Sequence, residues 1–322
     1  MEDIDIVIPW VNPNDDIWFN EYKIACAQFD GDKNPQRIRD FNIFNYWFRA
    51  IEKNMPWIRF IHLFLYGKSQ IPTWLNINHP KLKIHFHNEI IPERYLPTYN
   101  SCLYFRYYYK LKDLAEKFIY LEDDIFVLNK TTSSDFFENN KPKACSLLSK
   151  QISSNPVNEA NLNKANIKYP NQRLDMFQTM VKNTLDLCFD YTKTAFKIYK
   201  NNHTGLSVLR SESKEIFENL NAKLDDYFIK NKFRNKNNII TEWLYNYIRL
   251  EKNNFIEQKD PEMNYSEIYD ENYYQTFFKL APKSKILCMN DILQKNANFE
   301  LTKLRLKKCL DALFPDKSSY EN

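Results

Sequence analysis

The chain has 322 residues, 43% of them hydrophobic and 27% charged, so it can bury one large core or two modest ones. A net charge of +4 is far from the basic stripe of a nucleic-acid-binding protein, and we expect no nucleic-acid partner. Only three glycines occur, and none stands in a glycine-rich phosphate-binding pattern; a bound phosphate would have to be held by Arg, Lys, His or a metal ion.

The N-terminal stretch MEDIDIVIPW lacks the basic segment of a secretion signal. No apolar run approaches the ~20 residues needed to cross a bilayer. The six cysteines are scattered, with no Cys-x-x-Cys pair, which is typical of reduced and buried thiols. We therefore expect a cytoplasmic protein, one that could also rest against the inner face of the membrane.

Apolar strand-like runs alternate with helical patterns in the first half of the chain. We predict strands at 4–11, 58–66, 82–87, 118–121 and 125–128, and helices at 42–54 and 100–116. This alternation predicts an α/β fold, with a mostly parallel sheet and helices on both faces.

The second half of the chain reads differently. Residues 150–172 are polar and rich in Asn, which predicts a loop. Beyond them we predict helices at 174–199, 211–220, 238–252 and 299–313, and a strand at 285–289. We therefore divide the chain into an α/β core (1–149), a mostly helical subdomain carrying His203 and Arg234 (150–280), and a return to the core with a C-terminal helix (281–322).

Polar side chains follow two of the predicted strands. Asn12 and Asp15 come after the first strand, and Asp123 and Asp124 come after the strand at 118–121. In parallel sheets, ligands bind beyond the carboxyl ends of the strands. Adjacent carboxylates there favour Mg²⁺ or Mn²⁺, with a polar turn as the alternative.

Basic groups elsewhere could complete such a site. Arg39, Arg210 and Arg234 offer donors suited to phosphate, although a solvated turn or a charged helix end explains them equally well. His203 can accept a proton near neutral pH, and its alternative is a structural role.

Several segments stand in an order that is informative as a whole. They are IDIVIPWVNPND, RIRDFNIFNYWFRAIEKNMPWIRFIHLFLYG, PTWLN, LPTYNS, FIYLEDDIFVL, HTGLSVLRSE, KFRNKNNI and ILCMND. This order resembles the four conserved regions of the Stealth family, over nearly the whole chain. That family includes bacterial capsular polysaccharide phosphotransferases and the animal N-acetylglucosamine-1-phosphotransferase.

The resemblance implies transfer of a hexose-1-phosphate from a UDP-sugar, such as UDP-GlcNAc, to a saccharide hydroxyl. UMP would leave, and a phosphodiester would form in a capsular or surface polysaccharide. It also implies a core like that of the GT-A glycosyltransferases, in which residues 1–149 would bind the nucleotide-sugar and residues 150–280 would form an acceptor subdomain. The protein could then associate with capsule machinery at the membrane. The residues that match the family motifs are Asn12, Asp15, Arg39, Asp40, Asn100, Asp123, Asp124, His203, Arg234, Asn290 and Asp291.

These matches support a hypothesis for the chemistry. Three carboxylates would hold Mg²⁺ or Mn²⁺ on the diphosphate, three arginines would neutralise the phosphates, and His203 would accept the proton of the attacking hydroxyl. The carboxylates are Asp123, Asp124 and Asp291, and the arginines are Arg39, Arg210 and Arg234. Asp124 as the base and a covalent phosphohistidine at His203 stay open as alternatives.

The chain also departs from the family pattern. Glu122 stands where the family usually has Asn, and Cys102 where it usually has His, which affects acceptor recognition more than the reaction class. Two other functions compete with phosphotransfer. A metal-dependent GT-A glycosyltransferase would release UDP, and a non-catalytic sugar-binding protein would release no nucleotide.

Overall fold

The computed structural model describes residues 3–144, 147–151, 175–194, 197–200, 203–258 and 262–322. The loop predicted at 150–172 lies outside the described residues from 152 onward. Within the described ranges, no helix is both long enough and apolar enough to pass through a bilayer.

Strands occur along the whole described chain. They are β1 (Ile4–Pro9), β2 (Ile61–Leu65), β3 (Leu82–Phe86), β4 (Lys117–Tyr120), β5 (Ile125–Val127), β6 (Phe137–Glu138), β7 (Lys141–Ala144), β8 (Leu147–Gln151), β9 (Lys197–Lys200), β10 (Leu206–Leu209), β11 (Ile256–Glu257), β12 (Met263–Ile268) and β13 (Ile286–Asp291).

Helices separate many of these strands. They are α1 (Asp16–Gln28), α2 (Phe44–Asn54), α3 (His87–Ile90), α4 (Met176–Thr192), α5 (Arg210–Asn219), α6 (Asn221–Phe228), α7 (Thr241–Glu251), α8 (Tyr273–Leu280) and α9 (Phe299–Leu313). Shorter 3-10 segments join them, and the longest of these is Ser101–Lys110.

The central sheet has the strand order β10-β4-β1-β2-β3. Strands β1 to β4 pair in parallel, and β10 runs antiparallel along the outer side of β4. The predicted fold class is therefore confirmed. Strand β10 belongs to this sheet although it lies inside the region predicted as a helical insertion, so the division into domains stays a prediction.

Both faces of the central sheet are covered by helices. Because successive strand residues point to opposite faces, Ile6 and Leu63 pack against α2 and α9, whereas Val7 and Phe64 pack against α4 to α7 and the 3-10 helix. The buried β-branched and aromatic residues of the strands thus divide between two cores. Their removal from water is the main contribution to the stability of this layered arrangement.

A second, smaller sheet adjoins the first, in the order β12-β13-β5. Strand β5 pairs antiparallel with β13, which pairs in parallel with β12. The chain passes from β4 of the central sheet to β5 of the second sheet within the four residues 121–124. This short connection holds the acidic residues that the sequence singled out.

Some predicted helices differ from those observed. The helix predicted at 100–116 is a 3-10 helix over Ser101–Lys110, and α1 was not predicted. The helix predicted at 174–199 ends at Thr192, because Lys193 adopts a left-handed conformation (φ 55°) that terminates it. Strand β9 occupies 197–200 instead.

Candidate active site

The acidic turn after β4 lies at the seam of the two sheets. The main-chain oxygen of Asp124 accepts a hydrogen bond from Met289 N at 2.8 Å, which fixes the turn against β13. The Cys288 thiol donates to Asp124 Oδ2 at 3.5 Å. The carboxylates of Glu122, Asp123 and Asp124 are therefore positioned by backbone pairing on both sides.

His203 reaches this turn from the start of β10, through the sequence His203-Thr204-Gly205. Gly205 has φ +95°, and a Cβ atom there would lie 2.6 Å from Leu121 Cδ2 and 3.2 Å from Tyr120 O. Only glycine permits so close an approach to the end of β4. His203 is itself left-handed (φ 49°), and its Nε2 lies 3.1 Å from Glu122 Oε2.

Glu122 and His203 form an ion pair. Burial alone would raise the pKa of Glu122, but the charge and hydrogen bond of His203, helped by the Tyr120 hydroxyl, outweigh it and lower that pKa to about 2. Burial alone would lower the pKa of His203, but the Glu122 carboxylate overcomes it and raises it to about 9. Both groups are therefore charged at neutral pH.

The two aspartates behave in the opposite way. Asp123 reaches solvent, yet most of its surroundings are protein, and burial together with Asp124, Glu122 and Asp40 raises its pKa to about 8. Burial, opposed by His203 and reinforced by Glu122, raises the pKa of Asp124 to about 6. Without a cation, the carboxylates of this turn are therefore not all readily ionised at neutral pH.

A divalent cation fits these carboxylates. Asp124 Oδ1 is buried and has no hydrogen-bond partner among the described residues, so it is an acceptor that a bound cation could satisfy. Ligand atoms of Asp124, His203 and Cys288 lie within 4.8 Å of one another. Burial raises the pKa of the Cys288 thiol so far that it stays protonated, and His203 is paired. Oxygen ligands, which Mg²⁺ and Mn²⁺ prefer, are therefore the better match.

Arg39 and Asp291 form an ion pair at the end of β13. Arg39 Nε and Nη2 each donate to a different oxygen of Asp291, both at 2.6 Å, and Leu293 N donates to Asp291 Oδ1 at 2.9 Å. Both oxygens of Asp291 are thus engaged, and neither is positioned as an open metal ligand. Asp40 lies alongside; its pKa is raised by burial, and it contributes to the raised pKa of Asp123.

Arg234 is the basic group whose charge acts on the acidic turn. Its Nη2 donates to Ser101 Oγ at 2.7 Å, and its charge lowers the pKa of Glu122. Asn100 is buried and holds the loop of Arg234, since its Nδ2 donates to Asn238 Oδ1 at 3.0 Å and to Phe233 O at 3.4 Å. These contacts position Arg234, and the predicted role of Asn100 in substrate binding stays a prediction.

The remaining predicted binding residues lie on neighbouring parts of the rim. Gln70 Nε2 donates to Asn12 O at 3.0 Å and to Asp15 Oδ2 at 2.7 Å, and Asp15 also caps α1. Asn290 Nδ2 donates to the Tyr265 hydroxyl at 2.9 Å. These contacts fix the turn after β1 and the end of β13.

Arg210 is not brought to the site. Because β10 runs antiparallel to β4, its last residue lies at the amino end of β4, on the far edge of the sheet. There Arg210 Nε donates to Tyr109 O and Nη1 to Leu114 O, both at 2.8 Å. This placement does not support the predicted contact with phosphate; Arg210 instead satisfies carbonyls near the end of the 3-10 helix and just after it.

Sequence reasoning did not include three residues that lie in or beside the site: Glu122, Cys288 and Glu242. Glu242 lies in the first turn of α7, and burial together with the charge of Glu122 raises its pKa to about 8. The feature of the sequence that could have identified Glu242 is its position shortly after the segment KFRNKNNI, near the start of a predicted helix. Glu122 was noted only as a departure from the family pattern.

Glu122 and His203 help to line an open cleft of about 710 Å³, a volume that includes the solvent at its mouth. Residues of the first turns of α7 form another part of its lining.

Comparison with known proteins identifies the family. Residues 37–145 match the family model of Stealth protein CR2, conserved region 2. The chain is 32% identical to a capsular polysaccharide phosphotransferase WcwK of Streptococcus pneumoniae, over 100% of this chain and 99% of that protein. The chain therefore belongs to the Stealth family, and it is a transferase.

Two further proteins resemble this chain. The exopolysaccharide phosphotransferase cps2G of Lactiplantibacillus plantarum is 29% identical over 99% of this chain and 96% of that protein. Among solved structures, the galactosyltransferase LgtC covers 96% of this chain and 95% of its own, with a TM-score of 0.42 and 10% identity.

Proposed function

We propose that this chain transfers a hexose-1-phosphate from a UDP-sugar to a saccharide hydroxyl, with release of UMP. The proposal depends chiefly on one observation: the Glu122–His203 ion pair lies beside the Asp123–Asp124 carboxylates and lines a cleft. It is supported by end-to-end similarity to proteins named as polysaccharide phosphotransferases. The product would be a phosphodiester in a capsular or surface polymer.

The diphosphate of the donor needs positive charge, which this chain supplies in two ways. Asp123 and Asp124 would hold Mg²⁺ or Mn²⁺, and such a cation, when bound, neutralises phosphate oxygens and the departing UMP. Arg234, whose charge already acts on the acidic turn, would contact the phosphates directly. Arg39 would act by orienting Asp291 and the adjoining Asp40, since its guanidinium is already engaged.

The proton of the attacking hydroxyl has two candidate acceptors. In the ligand-free chain Glu122 keeps His203 protonated, so the imidazolium can donate to a phosphoryl oxygen at once but must lose its proton before it accepts another. Asp124 presents an unpartnered oxygen at the same place. A transfer rate that rises with pH up to about 9 would indicate that His203 accepts the proton. A rate that falls near pH 9 would indicate that the reaction needs the protonated His203, as a donor to a phosphoryl oxygen.

The nucleotide product tests the proposal against its main rival. Incubation of the protein with Mg²⁺, a panel of UDP-sugars and a short saccharide acceptor, followed by phosphorus NMR, is expected to yield UMP and a phosphodiester resonance. UDP in place of UMP would show a glycosyltransferase that breaks the sugar–oxygen bond. Binding without nucleotide release would show a sugar-binding protein.

A further inference from the structure

One face of α7 forms part of the lining of the cleft, together with Glu122 and His203. Glu242, Trp243 and Asn246 all line it, since residues three and four positions apart share a helix face. Asp123, Asp124 and Arg234, which would engage the donor diphosphate, are not part of its lining. The ion pair of Glu122 and His203 therefore lies between the donor side and this second space.

Charged groups along the cleft are largely paired. Glu122 pairs with His203 at 3.1 Å, Asp135 with Lys285 at 2.8 Å, and Lys143 with Glu138 at 2.7 Å. Such a lining provides little net positive charge for a nucleotide or a diphosphate. It suits a neutral molecule that offers many hydroxyl groups.

Trp243 supplies an aromatic surface for such a molecule. Its ring is partly exposed, and Phe177 and Tyr247 hold it edge-on, with centroids 5.4 Å and 6.2 Å away. A rigid, half-exposed ring buries the apolar face of a sugar at little cost in conformational entropy.

Asn246 supplies a polar group of fixed orientation. Its Oδ1 accepts from Arg249 Nη2 at 2.7 Å, and the buried Arg249 is itself anchored by its hydrogen bond to Ser207 O. The Nδ2 amide of Asn246 is thereby left as the donor on the cleft wall, where a hydroxyl oxygen could accept from it.

We infer that Trp243 and Asn246 form the subsite for the acceptor saccharide, a neutral sugar whose ring lies on the indole and whose hydroxyl points toward His203. This assignment rests on the proposed transfer reaction, because that reaction requires an acceptor on the far side of the ion pair from the donor. It also gives the region predicted as an acceptor subdomain a specific contact surface.

Binding can be tested without turnover. Saturation-transfer NMR with the methyl glycosides of glucose, galactose and N-acetylglucosamine is expected to show contact of at least one ring with the wild-type protein. Trp243→Ala should weaken that binding at least tenfold, while the affinity for UDP stays within twofold. Trp243→Phe, which keeps an aromatic face, should recover part of it. Phe278→Ala removes a 51% exposed ring outside the cleft and should change neither.

Asn246→Asp provides a second variant that preserves the fold. It keeps the oxygen that accepts from Arg249 and replaces the amide donor, so glycoside binding should weaken with an unchanged melting temperature. The inference is overturned if no glycoside binds the wild type, if Trp243→Ala binds as tightly as the wild type, or if UDP affinity falls in parallel. The nucleotide product is assayed separately, so failure of the proposed reaction is distinguishable from failure of the subsite.

Discussion

His203 Nε2 lies 3.1 Å from Glu122 Oε2, across the carboxyl end of β4, and this ion pair joins two strands that run in opposite directions. Glu122 extends from the end of β4, whereas His203 precedes the start of β10. The pair therefore depends on the antiparallel edge strand as much as on the two residues. Four predictions follow from the geometry around it.

The protonation state of His203 should depend on Glu122. In protein stripped of metal with a chelator, the imidazole is expected to titrate near pH 9, as measured by nitrogen–proton correlation NMR. Because the folded pKa of His203 lies above the ordinary 6.5 and that of Glu122 lies below the ordinary 4.5, the pair stabilises the fold fully between about pH 4.5 and 6.5. Its effect is lost as pH rises through 9, where His203 loses its proton, and as pH falls towards 2, where Glu122 gains one. Glu122→Gln should lower the titration midpoint, since burial is then opposed only by the charges of Asp124 and Glu242. A wild-type midpoint near 6.5 would refute the coupling.

Removal of His203 should abolish transfer and leave donor binding intact. We expect His203→Ala to lower kcat by a factor of about 10² to 10⁴, the usual range for loss of a proton-transfer group. Calorimetry with the UDP-sugar should give a dissociation constant within a few-fold of the wild type. His79→Ala, which alters a histidine bound to Ser319 away from the site, is the control and should be fully active. Wild-type turnover in His203→Ala would remove His203 from the chemistry.

Asp124 should be required for binding of the cation. Titration of Mn²⁺ followed by electron paramagnetic resonance is expected to show at least tenfold weaker binding in Asp124→Asn. The metal-free variant should melt higher than the wild type, because a buried carboxylate with a raised pKa is replaced by a neutral amide. Asp316→Asn, at an exposed aspartate, should match the wild type in both measurements. Equal Mn²⁺ affinity in Asp124→Asn would contradict the assignment.

Gly205 should not tolerate even alanine. A Cβ at this position would lie 2.6 Å from Leu121 Cδ2, and the φ of +95° is unfavourable for any side chain. We expect Gly205→Ala to cost about 2 kcal/mol or more in urea denaturation. Gly67→Ala is a matched control, because nothing lies within 4 Å of the added methyl group and its backbone is extended. It should be neutral or stabilising by up to about 1 kcal/mol.

The sequence predicted the four parallel strands of the central sheet well because they are short, apolar and bounded by turn residues, whereas its fifth strand, β10, was not predicted. Strands β1 to β4 all lie within the predicted runs to about one residue, and α9 occupies the predicted 299–313. The helix at Ser101–Lys110 was assigned the wrong type, since its tyrosines and phenylalanines show a helical pattern that does not distinguish 3-10 from α geometry. Local patterns thus identified the elements better than their exact form.

The site was harder to predict because its geometry depends on contacts between distant segments. The adjacent carboxylates at 123 and 124 could be found from the strand that precedes them. The direction of β10 could not, and this direction brings His203 to the turn and takes Arg210 away from it. The bidentate pairing of Arg39 with Asp291 likewise requires two remote segments to be placed together. Whether the predicted residues act as proposed stays a prediction.

The connection of residues 121–124 between two sheets has a consequence for how this family of chains can diversify. Contacts fix both ends of this connection. A single insertion or deletion within it would therefore displace Asp124 from Met289 and Glu122 from His203 at the same time. Trp243 lies on α7, outside this connection. In the proposed reaction, substitutions on that face of α7 would change which acceptor binds without altering the length of the turn.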